Sequence, residues 1–289
     1  MDSVKKYKIE KIEKYKDLSL MDEVIVEYPL EIYVNGEKFK RLSLTPIEIE
    51  NLVIGHLYSE NLINSINDIK NLKIEENKVY VDLDKEKSQK KISEIKNQTI
   101  DREKLFEFSK RFQNESEIFK RTGGAHSCAL VKNYQIVKFE EDVSRSNAVD
   151  KLIGYILKNE IDLSDKFIFT SCRISEIILE KISNIGFNLL ISQSCPTSFA
   201  VDLAREKNIN LIGFARGERF NIYNKNENLF IKWGSYGFIR CCKNWWSDWF
   251  ASFFDGKNWI QEKNPNKNLP FFGLYFGRGF DFKRWLAMF

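Results

Sequence analysis

The stretch that decides the fold class is FNLLISQSCPTSFAVDLAREKNINLIGFA, residues 187–215. It begins with an apolar run, continues with apolar residues at helical spacing from Pro196 onward, and ends with a second apolar run. Residues 166–186 have the same order, because the apolar run KFIFTS is followed by the helical pattern SEIILEKISNIG. Buried strands that alternate with helices of about a dozen residues are typical of parallel β-α-β units. We therefore expect an α/β sandwich in this half of the chain.

The chain ahead of this region predicts smaller elements. Residues 23–44 alternate apolar and polar side chains around Asn35-Gly36, which is the strongest short signal for a β-hairpin. Residues 45–63 predict a helix with Thr45 as its N-cap. Further predicted elements are the strand KVYVDLD, a helix over residues 101–121, a hairpin over residues 129–142, and a helix over residues 146–161 capped by Ser146 or Asn147.

These patterns divide the chain into four parts. Residues 1–21 predict a polar, Lys-rich and loosely held arm, and residues 22–110 a hairpin and helix subdomain. Residues 111–232 predict the α/β domain, in which we expect ligand binding. Residues 233–289 hold all six tryptophans and show neither helical nor strand periodicity. We assign no function to this aromatic tail.

Composition narrows the classes of function. The 45 basic and 41 acidic residues nearly cancel to a net charge of +4, which argues against a nucleic-acid-binding protein. The sequence has no apolar run of about 18 residues and no secretory signal pattern, so we expect no membrane association. Five cysteines without framework spacing are typical of a reducing compartment, and we expect the protein in the cytoplasm.

Three of the predicted strands end in a polar loop that we expect to open a helix. The loops are TSCRISE at residues 170–176, SQSCPTS at residues 192–198 and FARGERFNIY at residues 214–223. In open α/β sheets the carboxyl ends of the strands form the ligand crevice, and helix N-termini there attract anions. Hydroxyl groups beside Arg173, Arg216 and Arg219 therefore predict a pocket for phosphate or pyrophosphate. The alternative for each loop is that its hydroxyls cap helices and its arginine is solvated.

The segment RTGGAHSCAL, residues 121–130, is the fourth loop with potential for chemistry. Gly123-Gly124 allows backbone amides to approach a ligand closely. We expect His126 to donate to a phosphate rather than to act directly as a base on Cys128, which we expect to be a small buried packing residue. A deaminase zinc site requires a downstream P-C-x-x-C, and the chain offers only SCPTS.

Several of these blocks together resemble the FdhD family, the sulfur carrier proteins required for formate dehydrogenase activity. The resemblance runs from about residue 22 to 230 and includes YPLEIYVNGE, RTGGAHSCAL, FTSCRISE and FARGER. It implies a cytidine-deaminase-like α/β fold without the deaminase zinc. It also implies that sulfur passes from a cysteine desulfurase to the bis-molybdopterin guanine dinucleotide cofactor before that cofactor enters formate dehydrogenase.

The same resemblance implies where the cofactor binds, with GDP as a mimic, and it suggests a homodimer. The family's cofactor-binding hexapeptide corresponds here to FARGER, and the remaining residues come from the three other loops. The expected cofactor-binding residues are Phe214, Ala215, Arg216, Gly217, Glu218, Arg219, Thr122, Gly123, Gly124, His126, Thr170, Ser171, Arg173, Ser194 and Thr197.

The chain also departs from the family pattern. The family carries sulfur on a C-G-x-C-G loop, but the corresponding residues 90–108 contain no cysteine, and Ser146 replaces a histidine that relatives commonly carry. Cys172, Cys195 and Cys128 are then the substitute persulfide candidates, the first two favoured because each precedes a helix whose N-terminus lowers a thiol pKa. The alternative is a cofactor-binding chaperone that carries no sulfur. A nucleotide deaminase rests on fold analogy alone.

Overall fold

The computed structural model describes residues 2–84, 86–89 and 97–232, so the predicted aromatic tail at residues 233–289 lies outside the described residues. The chain opens with a two-stranded antiparallel hairpin, β1 (Val4–Glu13) and β2 (Lys16–Ile25). The expectation of a loosely held arm over residues 1–21 is therefore wrong. Apolar cross-strand pairs such as Ile9 opposite Leu20 stabilise the pairing.

A four-stranded sheet and one helix follow. Their bounds are β3 (Tyr28–Val34), β4 (Glu37–Leu44), α1 (Ile49–Ser59), β5 (Ile69–Glu75) and β6 (Lys78–Leu83), with a 3₁₀ turn at Ile66–Asp68. The strand order is β4-β3-β6-β5, and β3 runs parallel to β6. The predicted hairpin is confirmed, because Asn35 and Gly36 both have positive φ, at 50° and 86°. Strand β5 was not predicted.

Helix α1 begins later than predicted. Its N-cap is Glu48, in the left-handed region at φ 52°, and Thr45 lies ahead of it. Thr45 instead takes part in tertiary contacts: its amide donates to Asp142 Oδ2 at 3.1 Å, and its hydroxyl accepts from the amide of Val143 at 3.0 Å. The prediction of Thr45 as an N-cap is therefore wrong.

The next elements are β7 (Gln98–Asp101), α2 (Arg102–Phe112) and α3 (Glu117–Thr122). The predicted single helix over residues 101–121 is interrupted by a 3₁₀ turn at Gln113–Glu115. The interruption ends at Ser116, whose hydroxyl accepts from the amide of Phe119 at 3.1 Å and so caps a new helix.

The second half of the chain forms a six-stranded sheet covered by helices. The elements are β8 (His126–Lys132), β9 (Gln135–Asp142), α4 (Arg145–Lys158), β10 (Lys166–Thr170), α5 (Glu176–Asn184), β11 (Leu189–Ser192), α6 (Ser198–Glu206), β12 (Asn210–Arg216), β13 (Arg219–Asn224) and β14 (Leu229–Lys232). The strand order is β13-β12-β11-β10-β8-β9, while β14 pairs with β7. Strands β10, β11 and β12 are mutually parallel, so the predicted β-α-β units are confirmed.

Two local predictions in this half are wrong. FARGERFNIY does not open a helix, because β12 turns back into β13 through Gly217, which has φ 64°. Helix α4 has Ser144 as its N-cap rather than Ser146 or Asn147. The amide of Ser144 donates to Asp142 Oδ1 at 2.8 Å. This bond fixes the turn into the helix two residues before the predicted N-cap Ser146.

The six-stranded sheet has an apolar core on each face. On one face, Cys128 and Leu130 join a cluster that also contains α1, α4 and the four-stranded sheet. On the other face, Phe112 of α2 packs against Phe169, with ring centroids 4.6 Å apart. The predicted α/β sandwich is therefore confirmed, while the subdomain boundary at residue 110 stays a prediction. The longest helix in the described part of the chain has 14 residues, and no described helix could span a membrane.

Candidate functional site

The four predicted loops lie along one edge of the six-stranded sheet. Parallel strands β10, β11 and β12 end at this edge. Strand β8 runs antiparallel to β10, with Cys128 opposite Thr170, so its first residue, His126, lies at the same edge. Three strand spacings separate β8 from β12, which places the His126 and Arg216 ends of the edge roughly 14 Å apart.

Hydrogen bonds between β8 and the TSCRISE loop fix the centre of this edge. The carbonyl of Ser127 accepts from the amide of Ser171 at 3.0 Å and from the hydroxyl of Thr170 at 2.8 Å. The hydroxyl of Ser171 in turn accepts from the amide of Ser127 at 3.0 Å. Both expected ligand hydroxyls thus make bonds within the protein. Thr170 is fully buried, so the structure places it in the scaffold of the site.

The other two loops continue the same network. The hydroxyl of Ser192 donates to the carbonyl of Cys172 at 2.6 Å and accepts from the amide of Ser194 at 2.9 Å. The carbonyl of Ser194 accepts from the amide of Phe214 at 3.0 Å, and Thr197 caps α6. Backbone positions in all three loops are therefore held before any ligand binds.

The FARGER segment forms a hairpin tip at one end of the edge. The guanidinium groups of Arg216 and Arg219 lie 5.5 Å and 6.0 Å from the ring centroid of Phe214, within the range of cation–π attraction. Arg216, Gly217, Glu218 and Arg219 are exposed, whereas Ala215 is buried and cannot contact a ligand through its side chain. Two cations therefore face solvent at this end.

A cavity of about 410 Å³ occupies the other end of the edge. It lies where β8 begins and where helices α4 and α5 both begin. Its lining residues are His126, Val143, Ser144, Arg145, Ser146, Ser175, Ile177 and Ile178. Within the described chain, the N-cap side chains of Ser144 and Ser175 make no capping hydrogen bond. Two helix N-termini, two unused hydroxyls, an arginine and a histidine are a suitable set of groups for binding a phosphoryl anion.

The charge of His126 depends on its surroundings. Burial is the main cause that lowers the pKa of His126 below its usual 6.5, and Arg145 adds to that effect. Asp142, which lies opposite His126 on β9, opposes the shift. In the absence of an anion His126 is therefore mainly neutral at pH 7, and Arg145 is the permanent cation of the cavity.

The TGG residues connect this end to the N-terminal hairpin. Gly123 is the C-cap of α3 with φ 66°, a conformation that glycine adopts without strain. A Cβ atom at Gly124 would lie 3.0 Å from the Ile25 side chain of β2, so a side chain there would require Ile25 to shift. Both glycines and half-buried Thr122 lie beside the hairpin, and their predicted role in ligand binding stays a prediction.

The three cysteine candidates differ sharply in access. Cys128 and Cys172 are buried, with 0% and 1% of their surface exposed, and burial raises the pKa of both thiols. The expectation that the helix following Cys172 lowers its pKa is therefore wrong. Cys195 is the one described cysteine that is not buried. Cys128 is the buried packing residue that we predicted, although it shares a face of β8 with His126.

Arg145 and Ser144 line the cavity and were not predicted as site residues, whereas Ser175 belongs to the predicted ligand loop TSCRISE. The sequence DVSRSNAVDK contained a signal for Arg145 and Ser144, because Ser and Asp ahead of a helix indicate a cap. We placed the cap two residues too late, so Arg145 fell outside the predicted helix. Among the described residues, no group of three or more His, Cys, Asp or Glu side chains could hold a metal ion.

Comparison with known sequences identifies the family. The sequence profile of the FdhD/NarQ family matches residues 25–96 and 83–230. The chain belongs to the FdhD/NarQ family. A sulfur carrier protein FdhD from Bacillus pumilus is 35% identical over 262 residues, which cover 78% of this chain and 98% of that protein. A sulfur carrier protein FdhD from Bacillus subtilis is 35% identical over 240 residues, covering 72% of this chain and 90% of that protein.

A solved structure agrees with this assignment at the level of the fold. A putative formate dehydrogenase accessory protein from Desulfotalea psychrophila superposes with a TM-score of 0.70 at 22% sequence identity. The superposition covers 79% of this chain and 100% of that chain. This FdhD/NarQ chain therefore has the fold of that accessory protein.

Proposed function

We propose that this FdhD/NarQ chain is a sulfur carrier required for formate dehydrogenase activity. It receives sulfur from a cysteine desulfurase in the cytoplasm and transfers it to the bis-molybdopterin guanine dinucleotide cofactor, which is its substrate. The names of the Bacillus relatives support the carrier role, and the near-complete coverage of the Bacillus pumilus protein supports extending it to the whole described core.

The distribution of cations along the sheet edge is the observation that carries the proposal. Arg145 and two helix N-termini lie at one end, and Arg216 and Arg219 lie at the other, roughly 14 Å away by strand spacing. A dinucleotide-type substrate carries separated pyrophosphate groups, and arginine binds such groups through paired hydrogen bonds. The Phe214 ring beside the two arginines adds a flat surface on which a guanine can stack.

Binding of GDP tests this part of the proposal. We expect millimolar GDP to raise the melting temperature, because a ligand that binds only the folded state stabilises it. Replacing Arg216 and Arg219 together by alanine removes most of the shift. Arg205→Ala is the matched control, since Arg205 is an exposed arginine on α6 that the site does not use. A wild-type protein that GDP does not stabilise contradicts the pocket.

Cys195 is the proposed sulfur-carrying residue. In the transfer, the Cys195 thiolate attacks the outer sulfur of the desulfurase persulfide, a new S–S bond forms on Cys195, and the desulfurase leaves as a thiolate. The reaction requires an accessible thiol, and Cys195 is the described cysteine that meets this requirement. It lies in the SQSCPTS loop, where its carbonyl accepts from the amide of Ile174 at 3.0 Å.

Sulfur labelling distinguishes this role from the alternative, a chaperone that binds the cofactor without carrying sulfur. The protein is incubated with a desulfurase and radioactive cysteine, and the bound label is counted after gel filtration. We expect label on the wild type and on Cys128→Ala, and none on Cys195→Ala. Equal label on Cys195→Ala excludes this cysteine, and no label on any variant favours the chaperone. The burial of Cys128 and Cys172 is the observation that keeps the chaperone as the second candidate.

A further inference from the structure

A buried acid–base pair lies directly behind the cavity at the His126 end. Lys151 Nζ of α4 is 2.7 Å from Asp142 Oδ2, and both side chains have no solvent exposure. Lys151 uses its other donors on the carbonyls of Thr45, at 3.1 Å, and Glu141, at 2.9 Å. Each hydrogen of the ammonium group therefore has an acceptor, as a buried charge requires.

The Asp142 carboxylate is equally saturated, and its partners surround the start of α4. Oδ2 accepts from the amide of Thr45 at 3.1 Å in addition to Lys151. Oδ1 accepts from the amide of Ser144 at 2.8 Å and from Asn147 Nδ2 at 3.0 Å. One carboxylate thus binds the residue before and the residue two positions after Arg145, and no hydrogen bond from Arg145 to Asp142 is present within the described chain.

Asp142 also contributes to the position of the opposite wall of the cavity, which His126 forms. It is the last residue of β9 and lies directly opposite His126 of β8. A single residue, Val143, separates Asp142 from the N-cap of α4. The amide of Val143 donates to the Thr45 hydroxyl at 3.0 Å. The turn therefore has both of its amides bound by side chains, which leaves the first turn of α4 little freedom relative to β8.

We propose that Asp142 is a positioning residue, which fixes the first turn of α4 so that Arg145 and His126 face the same cavity. The inference deepens the proposed function and rests on it for the identity of the ligand, a phosphoryl anion. Asp142 itself does not contact that anion, because it is fully buried behind the cavity wall. Its effect on binding is exerted through the position of Arg145.

Histidine titration by NMR tests the inference without any ligand. The chain has two histidines, His126 and His56, so both imidazole signals can be assigned by substitution. In the intact protein we expect Arg145→Ala to raise the titration midpoint of His126, because a nearby cation has been removed. In the double variant Asp142→Asn/Lys151→Met, which removes both buried charges together, we expect that effect of Arg145→Ala to fall below about half its original size.

A matched control comes from the second buried pair of α4. Lys181 Nζ lies 2.6 Å from Asp150 Oδ2, at a site that also contacts His56 and does not line the cavity. Asp150→Asn/Lys181→Met removes a buried ion pair from the same helix, yet we expect the effect of Arg145→Ala on His126 to persist in it. A purely structural role of Asp142 predicts the same behaviour for the two double variants.

Asp142→Glu provides a second variant if the first double variant does not fold. It retains the charge and the pair with Lys151 but moves the carboxylate by one methylene, so we expect the Arg145 effect on His126 to be lost again. An unchanged Arg145 effect in either Asp142 variant overturns the inference.

Inorganic pyrophosphate adds a binding readout. We expect Arg145→Ala to weaken its binding at least about tenfold in the intact protein and less than about threefold without the Asp142 pair. Absence of pyrophosphate binding to the wild type contradicts the proposed function, whereas the NMR result still decides the role of Asp142.

Discussion

Gly154 on α4 approaches Asn51 on α1 so closely that no side chain fits between the two helices. A Cβ atom at residue 154 would lie 1.8 Å from the carbonyl oxygen of Asn51. The contact is reciprocal, because a Cβ atom at Gly55 would lie 1.8 Å from the carbonyl oxygen of Asp150. This crossing joins α1, which follows β4, to the helix that carries Arg145.

Gly154→Ala is therefore expected to destabilise the protein strongly. The added methyl meets backbone on the facing helix, which cannot rotate away as a side chain does, so the helices must separate. We expect a loss of at least ~3 kcal/mol in the free energy of unfolding, measured by urea titration. Lys158→Ala, an exposed change on the same helix, is the control and should cost less than ~1 kcal/mol. Equal stability of the two variants contradicts the close crossing.

Glu140 makes the stability of the fold depend on pH. Burial raises the pKa of Glu140 from 4.5 to about 7, although Lys138 Nζ at 3.3 Å opposes the shift. The folded protein therefore binds a proton that the unfolded chain has released between pH 4.5 and 7, so the contribution to stability is full below pH 4.5 and lost as pH rises through 7.

The change that removes this dependence is Glu140→Gln. The shift from 4.5 to about 7 corresponds to about 3 kcal/mol, so at pH 8 we expect the variant to be more stable than the wild type by up to that amount. Denaturant melts at pH 5 and pH 8 measure the difference. Glu50→Gln, at an exposed position, should leave the wild-type pH dependence unchanged. If the stability of Glu140→Gln falls with pH as steeply as that of the wild type, another group is responsible.

Much of the α/β half was predictable because its signals are local. The strands β10, β11 and β12 are short, mainly apolar runs, and parallel strands necessarily present their following loops at one edge. That rule predicted the proximity of three of the four ligand loops without any knowledge of contacts, whereas the fourth loop precedes the antiparallel strand β8. The first strand of the chain, β1, carries four lysines among its ten residues, which hid its strand pattern.

The errors at the site arise from hydrogen bonds and burial that exist only in the folded chain. The sequence predicts Thr45 as an N-cap. Its amide and hydroxyl instead form hydrogen bonds with Asp142 and Val143, about 100 residues later in the chain, and the N-cap of α1 is Glu48. The start of α4 is set by Asp142, so Arg145 was missed. Cys172 precedes a helix, yet it is buried beneath the edge, and burial raises its pKa more than the hydrogen bonds with Thr170 and Ser171 lower it. The long-range contacts of Thr45 and the burial of Cys172 leave no pattern in the sequence.

Anion binding at the cavity is expected to strengthen as pH falls. His126 has a lowered pKa in the free protein, and an anion beside it favours the charged form, so binding takes up a proton. The affinity for pyrophosphate should therefore rise from pH 8 toward pH 5.5 more steeply in the wild type than in His126→Gln. Both affinities are measured by calorimetry. Because pyrophosphate itself takes up protons in both series, the difference between the two profiles isolates the contribution of His126. Parallel profiles contradict a contact between His126 and the anion.

The accessibility of Cys195 gives a prediction that needs neither ligand nor partner. In a Cys241→Ser/Cys242→Ser background, which leaves only the three described cysteines, we expect an excess of a thiol reagent to label one cysteine in the folded protein and three in denaturant. Cys128 and Cys172 are protected because they are buried and because their raised pKa keeps them as thiols. Adding Cys195→Ala to this background should abolish native labelling. Rapid native labelling that survives Cys195→Ala means that Cys172 or Cys128 opens to solvent, and either would then replace Cys195 as the sulfur-carrying candidate.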